Sequence, residues 1–221
     1  NFDLVLIGKD SERLHAAHNE LEKITSYNSI LTSYTCDLEK PSDITSLIEK
    51  IKSNHKTPDI LMLAHGVMSA KMSKTLKTDL VEWRRVMSIN LDSNFHIINS
   101  LAPAMAEARS GRVIIFSACL GRMSGPGNAG GLAPYRISKA GVNALVRNLA
   151  HETGLGSRGF LVDAVCPNHS RTDMGGPNAP LSAEEGARTA IWLATREFNP
   201  NGRTEQENTT GVLWEENQVV P

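Results

Sequence analysis

Short runs of Val, Ile and Leu recur along this chain, separated by stretches whose apolar residues follow a helical period. Leu4–Ile7, Ile30–Cys36, Ile60–Ala64, Val113–Ser117, Leu161–Cys166 and Gly211–Trp214 read as strands. Between them lie apolar stripes at helical spacing: Leu14, Ala17, Leu21 and Ile24; then Ile44, Leu47, Ile48 and Ile51 behind Pro41, a residue suited to the first turn of a helix. A long helix is expected from Asp79 to Ala108, with Trp83, Met87, Leu91, Phe95, Ile98, Ala102 and Met105 on its apolar side. Further helices are expected from Tyr135 to His151 and from Glu184 to Ala194. Strands alternating with helices, several of them apolar throughout, predict an α/β fold with a parallel sheet covered on both faces.

At 221 residues the chain is long enough for one such domain, spanning 1–221, and short for two. Its formal charge of −1 gives no electrostatic pull toward nucleic acid or an anionic membrane. No apolar run approaches the roughly 20 residues of a membrane span. The three cysteines, Cys36, Cys119 and Cys166, all fall at strand ends, where they read as small buried residues of a reducing compartment. No spacing of metal ligands is present, and the reading is cytoplasmic.

In parallel sheets ligands bind outside the carboxyl ends of the strands. Gly8-Lys9, Asp37-Leu38, His65-Gly66, Ser117-Ala118 and Pro167-Asn168 stand at those ends. The chemistry points to Tyr135 and Lys139, one helical turn apart and so on one face. The stripe Ile137, Ala140, Gly141, Ala144, Leu145 and Leu149 should pack that helix on the sheet. A phenol titrates near pH ~10, and a nearby cation should pull that value down, making Tyr135 an acid and base at cellular pH.

Tyr135–Lys139, the following Ala140-Gly141-Val142-Asn143-Ala144-Leu145 and the segment Arg171–Asn178 together resemble the short-chain dehydrogenase/reductase family, most closely its carbonyl-reductase branch. The resemblance covers essentially the whole chain. It implies a doubly wound Rossmann fold, an NADP(H) or NAD(H) cofactor, and hydride transfer between nicotinamide and a carbonyl or alcohol. It implies Tyr135 as catalytic acid/base, Lys139 as its tuning cation and ribose ligand, and Asn90 as holder of a relay water. Asp37, with Leu38, matches the adenine contact; Ala64, His65 and Gly66 match the adenosine wall; Thr172 matches a nicotinamide or pyrophosphate contact. Lys9 stands where NADP-preferring relatives carry Arg, so NADP(H) is favoured over NAD(H).

Four departures accompany the resemblance. The family's Gly-rich phosphate loop is missing with its strand and helix, a βα unit that belongs between the strands at Leu4 and Ile60. The sheet should therefore carry two unpaired edges, and the chain reads as N-terminally incomplete. The catalytic Ser position is Ala118, with Ser117 one residue early and so facing the other way. Asn-Asn-Ala-Gly of the family is Leu63-Ala64-His65-Gly66. Pro-Gly is Pro167-Asn168, with Ser170 in place of an apolar residue; Asn tolerates left-handed backbone, so the turn can survive. Three readings stay open: an NADP(H)-dependent oxidoreductase acting on a small carbonyl or alcohol, with a homo-oligomer possible; a catalytically impaired relative that binds nucleotide or a partner without efficient turnover; or a non-functional fragment.

Overall fold

The computed structural model describes residues 2–25, 29–70 and 73–221. Its contacts divide the chain into two compact units, Asn1–Lys56 and Thr57–Pro221. In the first, β1 (Leu4–Gly8) pairs in parallel with β2 (Leu31–Thr35), and helices α1 (Ser11–Glu22) and α2 (Pro41–Asn54) follow the strands. The Asp10 carboxylate starts α1 by accepting from the N–H groups of Glu12 and Arg13, each at 3.0 Å. Helix α2 buries Ile44, Leu47, Ile48 and Ile51, the stripe its spacing predicts. The expected cover on both faces fails at β1, where Val5 and Ile7 stay exposed.

The second unit is a five-stranded sheet in the order β3-β4-β5-β6-β7: β3 (Ile60–Leu63), β4 (Arg112–Phe116), β5 (Leu161–Val165), β6 (Leu213–Glu215) and β7 (Gln218–Val220). The first four strands are parallel and β7 runs antiparallel to β6. Strand β7 went unpredicted; Glu216 and Asn217, both left-handed at φ 51° and 61°, make the tight hairpin turn that reverses the chain. The smaller sheet ends at β1 and β2, and the larger at β3 and β7. On one side of the larger sheet Ile114, Val165 and Trp214 pack against Ala190 and Leu193 of α6 (Ala183–Thr195). A capping box of Ser182 and Glu185 starts that helix.

The long predicted helix is broken into α3 (Leu80–Met87), one π-helical turn (Ser88–Asp92) and α4 (Ser93–Glu107). The wider turn shifts the buried face after it, so α4 buries Asn94, Ile97, Ile98, Leu101 and Met105 while Phe95, expected inside, lies 56% exposed. Helix α5 (Ala133–Glu152) corrects the sequence reading in the same way. Its buried face is Tyr135, Ser138, Lys139, Val142, Val146 and Ala150, and Ile137 of the predicted stripe is 42% exposed. The Tyr ring and the Lys stem are themselves apolar enough to be buried, so the inward face is centred on them. A last short helix, α7 (Glu205–Asn208), precedes β6. Among the described residues no helix is long and apolar enough to cross a membrane.

Candidate active site

Tyr135 sits in the first turn of α5, where the chain enters from Leu132 in left-handed conformation and Pro134 occupies a position that needs no N–H. The orphan N–H of Tyr135 donates to Ser69 Oγ at 2.9 Å. Its carbonyl accepts from Ser138 Oγ at 2.7 Å, and Ser138 in turn accepts from Asn90 Nδ2 at 3.0 Å. Tyr135 is therefore held from both ends of its backbone by the loop after β3 and the π turn, and its ring is 6% exposed.

Asn90 lies in the π turn and is fully buried. Its Oδ1 accepts from the N–H of Val67 at 2.7 Å and its Nδ2 donates to the Val67 carbonyl at 2.9 Å. A side-chain amide paired with a backbone amide in both directions is a clamp, and the carbonyl of Asn90 already accepts from Asn94 Nδ2. The structure thus gives Asn90 a positioning task that spacing alone does not reveal.

Lys139 is almost fully buried and its Nζ donates to the Phe116 carbonyl, at the end of β4, at 2.7 Å. The Nζ lies 5.9 Å from the centroid of the Tyr135 ring. Burial pushes the Lys139 ammonium down to about 8. Tyr135 moves the other way from the sequence expectation: burial, then the nearby thiols of Cys166 and Cys119, push it up to about 12. Desolvation penalises the phenolate more than a lysine occupied by a carbonyl can favour it. Burial therefore favours the protonated form of the Tyr135 phenol.

A base whose pKa falls on folding binds fewer protons in the native than in the unfolded state between the two values. Stability should accordingly rise with pH from about 8 toward the ordinary lysine value of 10.5, as far as Lys139 contributes. The expected result is a smaller rise across that window in Lys139→Met than in the unaltered protein, measured by urea unfolding at a series of pH values. An identical slope in both would mean that Lys139 is solvated.

Ser117 Oγ donates to Asn143 Oδ1 on α5 at 2.6 Å, with the Lys139 carbonyl 3.2 Å away, so this hydroxyl is spent on fastening β4 to the helix. Ala118 follows in extended conformation and brings no polar group. His65 Nε2 lies 2.7 Å from Ser93 Oγ, and Ser93 Oγ donates to the Ile89 carbonyl at 2.7 Å. Burial first, then Lys139, push the His65 imidazole down to about 4, leaving it neutral near pH 7. Gly66 is needed at its place: a Cβ there would stand 3.2 Å from Lys139 Nζ and 3.4 Å from Asn90 Oδ1. Ala64 beside it is exposed.

After β5, Pro167 leads to Asn168 at φ 58°, the left-handed turn that the sequence allowed. The Asn168 side chain reaches Glu216 Oε1 at 3.2 Å. Ser170 is buried and donates to the Pro167 carbonyl, packing where a Cβ on Gly186 of α6 would clash. Thr172 is exposed, its Oγ1 accepting from the Gly175 N–H at 3.1 Å. In the first unit, Lys9 and Asp37 follow β1 and β2 and meet as an ion pair at 3.1 Å, with Lys40 at 3.7 Å and Leu38 in the adjoining turn. Burial alone raises the Asp37 carboxyl, but the Glu39 N–H and Lys9 outweigh it and hold it below its usual value. The carboxyl ends of β3, β4 and β5 thus gather Lys139, Tyr135, Cys119 and Cys166. Sequence reading passed over the two sulfurs, whose only signal was their position at strand ends.

The second unit is thus a Rossmann-like, mainly parallel sheet with a Tyr–Lys pair on the helix beside its carboxyl edge. Residues 1–181 match the family model described as short chain dehydrogenase, and the chain belongs to that family. It is 34% identical over 134 residues to the 3-oxoacyl-[acyl-carrier-protein] reductase FabG of Escherichia coli (strain K12), a match covering 61% of this chain and 52% of the relative. The corresponding reductase of Rickettsia prowazekii (strain Madrid E) is 29% identical over 171 residues, covering 77% of this chain and 64% of the relative. The chain spans about half to two thirds of the length of these curated relatives. Among solved structures, a short chain dehydrogenase/reductase family protein superposes with a TM-score of 0.74 at 19% identity, covering 96% of this chain and 84% of the other. Levodione reductase gives 0.68 at 24% identity, with 78% and 64% covered. These two likenesses speak for the fold.

Proposed function

We propose that residues 1–221 act as a single catalytic domain that reduces a small ketone or aldehyde with NADP(H), in the manner of the carbonyl-reductase branch. The observation that carries this reading is Tyr135 held as a buried, protonated phenol one helical turn from a buried Lys139. The curated relatives are named for reducing a 3-oxoacyl group, a ketone, which supports a carbonyl as the reacting group.

The residues after β3 and β5 suit the nicotinamide end of a dinucleotide, while the Gly-rich loop that would cradle its pyrophosphate is missing from the sequence. Gly66 leaves open the space where a side chain would crowd the Lys139 ammonium. Lys139 and Tyr135 would hold the ribose beside the nicotinamide; Asn168, Ser170 and Thr172, in the loop after Pro167, would hold the carboxamide end. The resemblance to the family would have Ala64, His65 and Gly66 wall the adenosine; for the first unit, taken by itself, it would have Asp37 and Leu38 contact the adenine and Lys9 meet the 2′-phosphate. Bound there, the nicotinamide supplies the hydride. Tyr135 keeps its proton on Oη until a carbonyl oxygen gains charge, and then donates it. With its pKa pushed up to about 12 the phenol carries its proton throughout the neutral range, and a partner that favours the phenolate would make it a stronger acid. Asn90 keeps the loop carrying Val67 in register with Ser138 and so with Tyr135. The free thiols fit a reducing compartment such as the cytoplasm.

The test is NADPH consumption with a panel of small ketones, aldehydes and quinones. Absence of turnover on all of them, with NADPH still quenching tryptophan fluorescence, would favour the second reading, a nucleotide-binding relative impaired at Ala118.

Two further outcomes follow from the same placement. Ala118→Ser restores a hydroxyl where the family carries one and is expected to raise turnover by about 10²–10³-fold, as one preorganised donor does. An unchanged rate would remove position 118 from the site. Lys9 is exposed, and its pairing with Asp37 is a surface ion pair worth about 0–1 kcal/mol, so a phosphate dianion can compete for it. Lys9→Ala should weaken NADPH binding by about 10–100-fold, the loss of one charge-assisted hydrogen bond, and leave NADH binding unchanged. Equal weakening of both would deny Lys9 the phosphate.

A further inference from the structure

Cys119 and Cys166 lie outside the proton-transfer chemistry, yet they meet at the mouth of the site. Strands β4 and β5 pair in parallel up to Phe116 and Val165, so their exits lie side by side. Cys166 is the first residue past β5, and Cys119 begins the short turn Cys119–Gly121 after β4. The backbone N–H of Cys119 donates to Cys166 Sγ at 3.0 Å. The Cys166 thiol in turn donates to Asn168 Oδ1 at 3.9 Å. Cys119 is partly exposed, Cys166 is 3% exposed, and both are free thiols.

The surroundings distinguish the two sulfurs. The neighbouring Cys166 thiol favours a Cys119 thiolate; burial and Glu215 oppose it, while the Leu120 backbone and Arg122 add to it, and the Cys119 thiol is held below its ordinary value. The nearby Cys119, with burial, pushes Cys166 up. Tyr135 lies within electrostatic reach of both sulfurs, and Lys139 within reach of Cys166. One accessible sulfur with thiolate character beside one buried protonated sulfur is the arrangement of an attacking and a resolving thiol. Cys36, in the other unit, lacks it: burial, then Asp43 and Asp37, push its thiol up, and no second cysteine adjoins it among the described residues.

We propose that Cys119 and Cys166 form an oxidisable dithiol, a modification site for hydroperoxides at the edge of the candidate active site. The Cys119 thiolate attacks one peroxide oxygen; the S–O bond forms, the O–O bond breaks, and the departing oxygen leaves as water with the proton lost from the thiol. The Cys166 sulfur then attacks the sulfenic sulfur; the S–S bond forms, the S–O bond breaks, and hydroxide leaves as a second water with the Cys166 proton. Two thiols are oxidised by two electrons and one hydrogen peroxide is reduced to two waters. The proposal stands whether or not the protein reduces carbonyls, because its readout is the sulfur chemistry itself.

The test is treatment of the whole folded protein with hydrogen peroxide, then alkylation and peptide mapping without reductant. The expected product is a peptide pair joined through Cys119 and Cys166, two hydrogens lighter than its parts and separated again by dithiothreitol, with Cys36 still a thiol. In Cys166→Ser the joined pair should vanish and Cys119 should be trapped as a sulfenic acid by dimedone. Both cysteines remaining thiols under peroxide that fully oxidises free glutathione would overturn the proposal. So would Cys36 reacting first, or Cys119 passing to sulfinic acid in the unaltered protein without the cross-link.

Discussion

Tyr135→Phe is expected to lower turnover of a carbonyl substrate by about 10²–10⁴-fold, the usual contribution of a positioned general acid. The substitution removes one oxygen and keeps the ring, so the packing of a residue 6% exposed changes little. The backbone contacts to Ser69 and Ser138 do not involve the hydroxyl and should persist. The loss should therefore fall on kcat, with KM for the carbonyl nearly unchanged, because the proton is needed only as the oxygen gains charge. A variant retaining more than about a tenth of the original turnover would take the acid role away from this residue. The pH profile separates this chemistry from a structural effect. With Tyr135 near 12, its protonation should not limit reduction anywhere between pH 6 and 9, a range lying wholly below that value. Alcohol oxidation, which needs the phenolate, should instead rise with pH over the same range.

Arg196→Met is expected to lower the unfolding free energy by about 3–5 kcal/mol, the penalty of leaving one member of a buried ion pair alone. Arg196 and Asp163 meet at 3.1 Å with side chains 2% and 4% exposed. The guanidinium also donates to the carbonyls of Gln206 and Thr209 and lies 4.7 Å from the Trp214 ring centroid. Asp163 accepts from Thr210 Oγ1, the Gly211 N–H and Trp214 Nε1. The pair thus ties β5 to the segment that leads into β6. Arg196→Met leaves the Asp163 carboxylate buried without its cation and frees two carbonyls. Adding Asp163→Asn should recover part of the loss, since the stranded charge is then gone. Urea unfolding followed by tryptophan fluorescence reads this directly, because Trp192 and Trp214 both flank the guanidinium. A loss below about 1 kcal/mol would mean that water reaches the pair, as at an exposed ion pair.

Asp163 shows where sequence reading stops. In Leu161–Val165 it interrupts an apolar strand, and nothing nearby in the chain announces its partner 33 residues on. The same holds for Ser69, 66 residues before Tyr135, and for Cys119 and Cys166, 47 apart. Helical period failed in an instructive way at α4 and α5. A π turn at Asn90 moved the buried face after it, and a Tyr–Lys face took the inward position that Ile137 was expected to share. Local spacing reports which residues share a face; it does not say which face the rest of the protein covers.

The order of strands and helices, the family, the Tyr–Lys turn and the left-handed turn at Asn168 were all determined by the sequence. Each depends on backbone periodicity or on the conformational range of one residue, which a chain carries locally. The tertiary structure alone decided the protonation of Tyr135, the clamp made by Asn90, the neutrality of His65 and the meeting of two sulfurs. Those depend on how much water is removed from a group and which distant partners replace it, and both are set only when remote segments pack together.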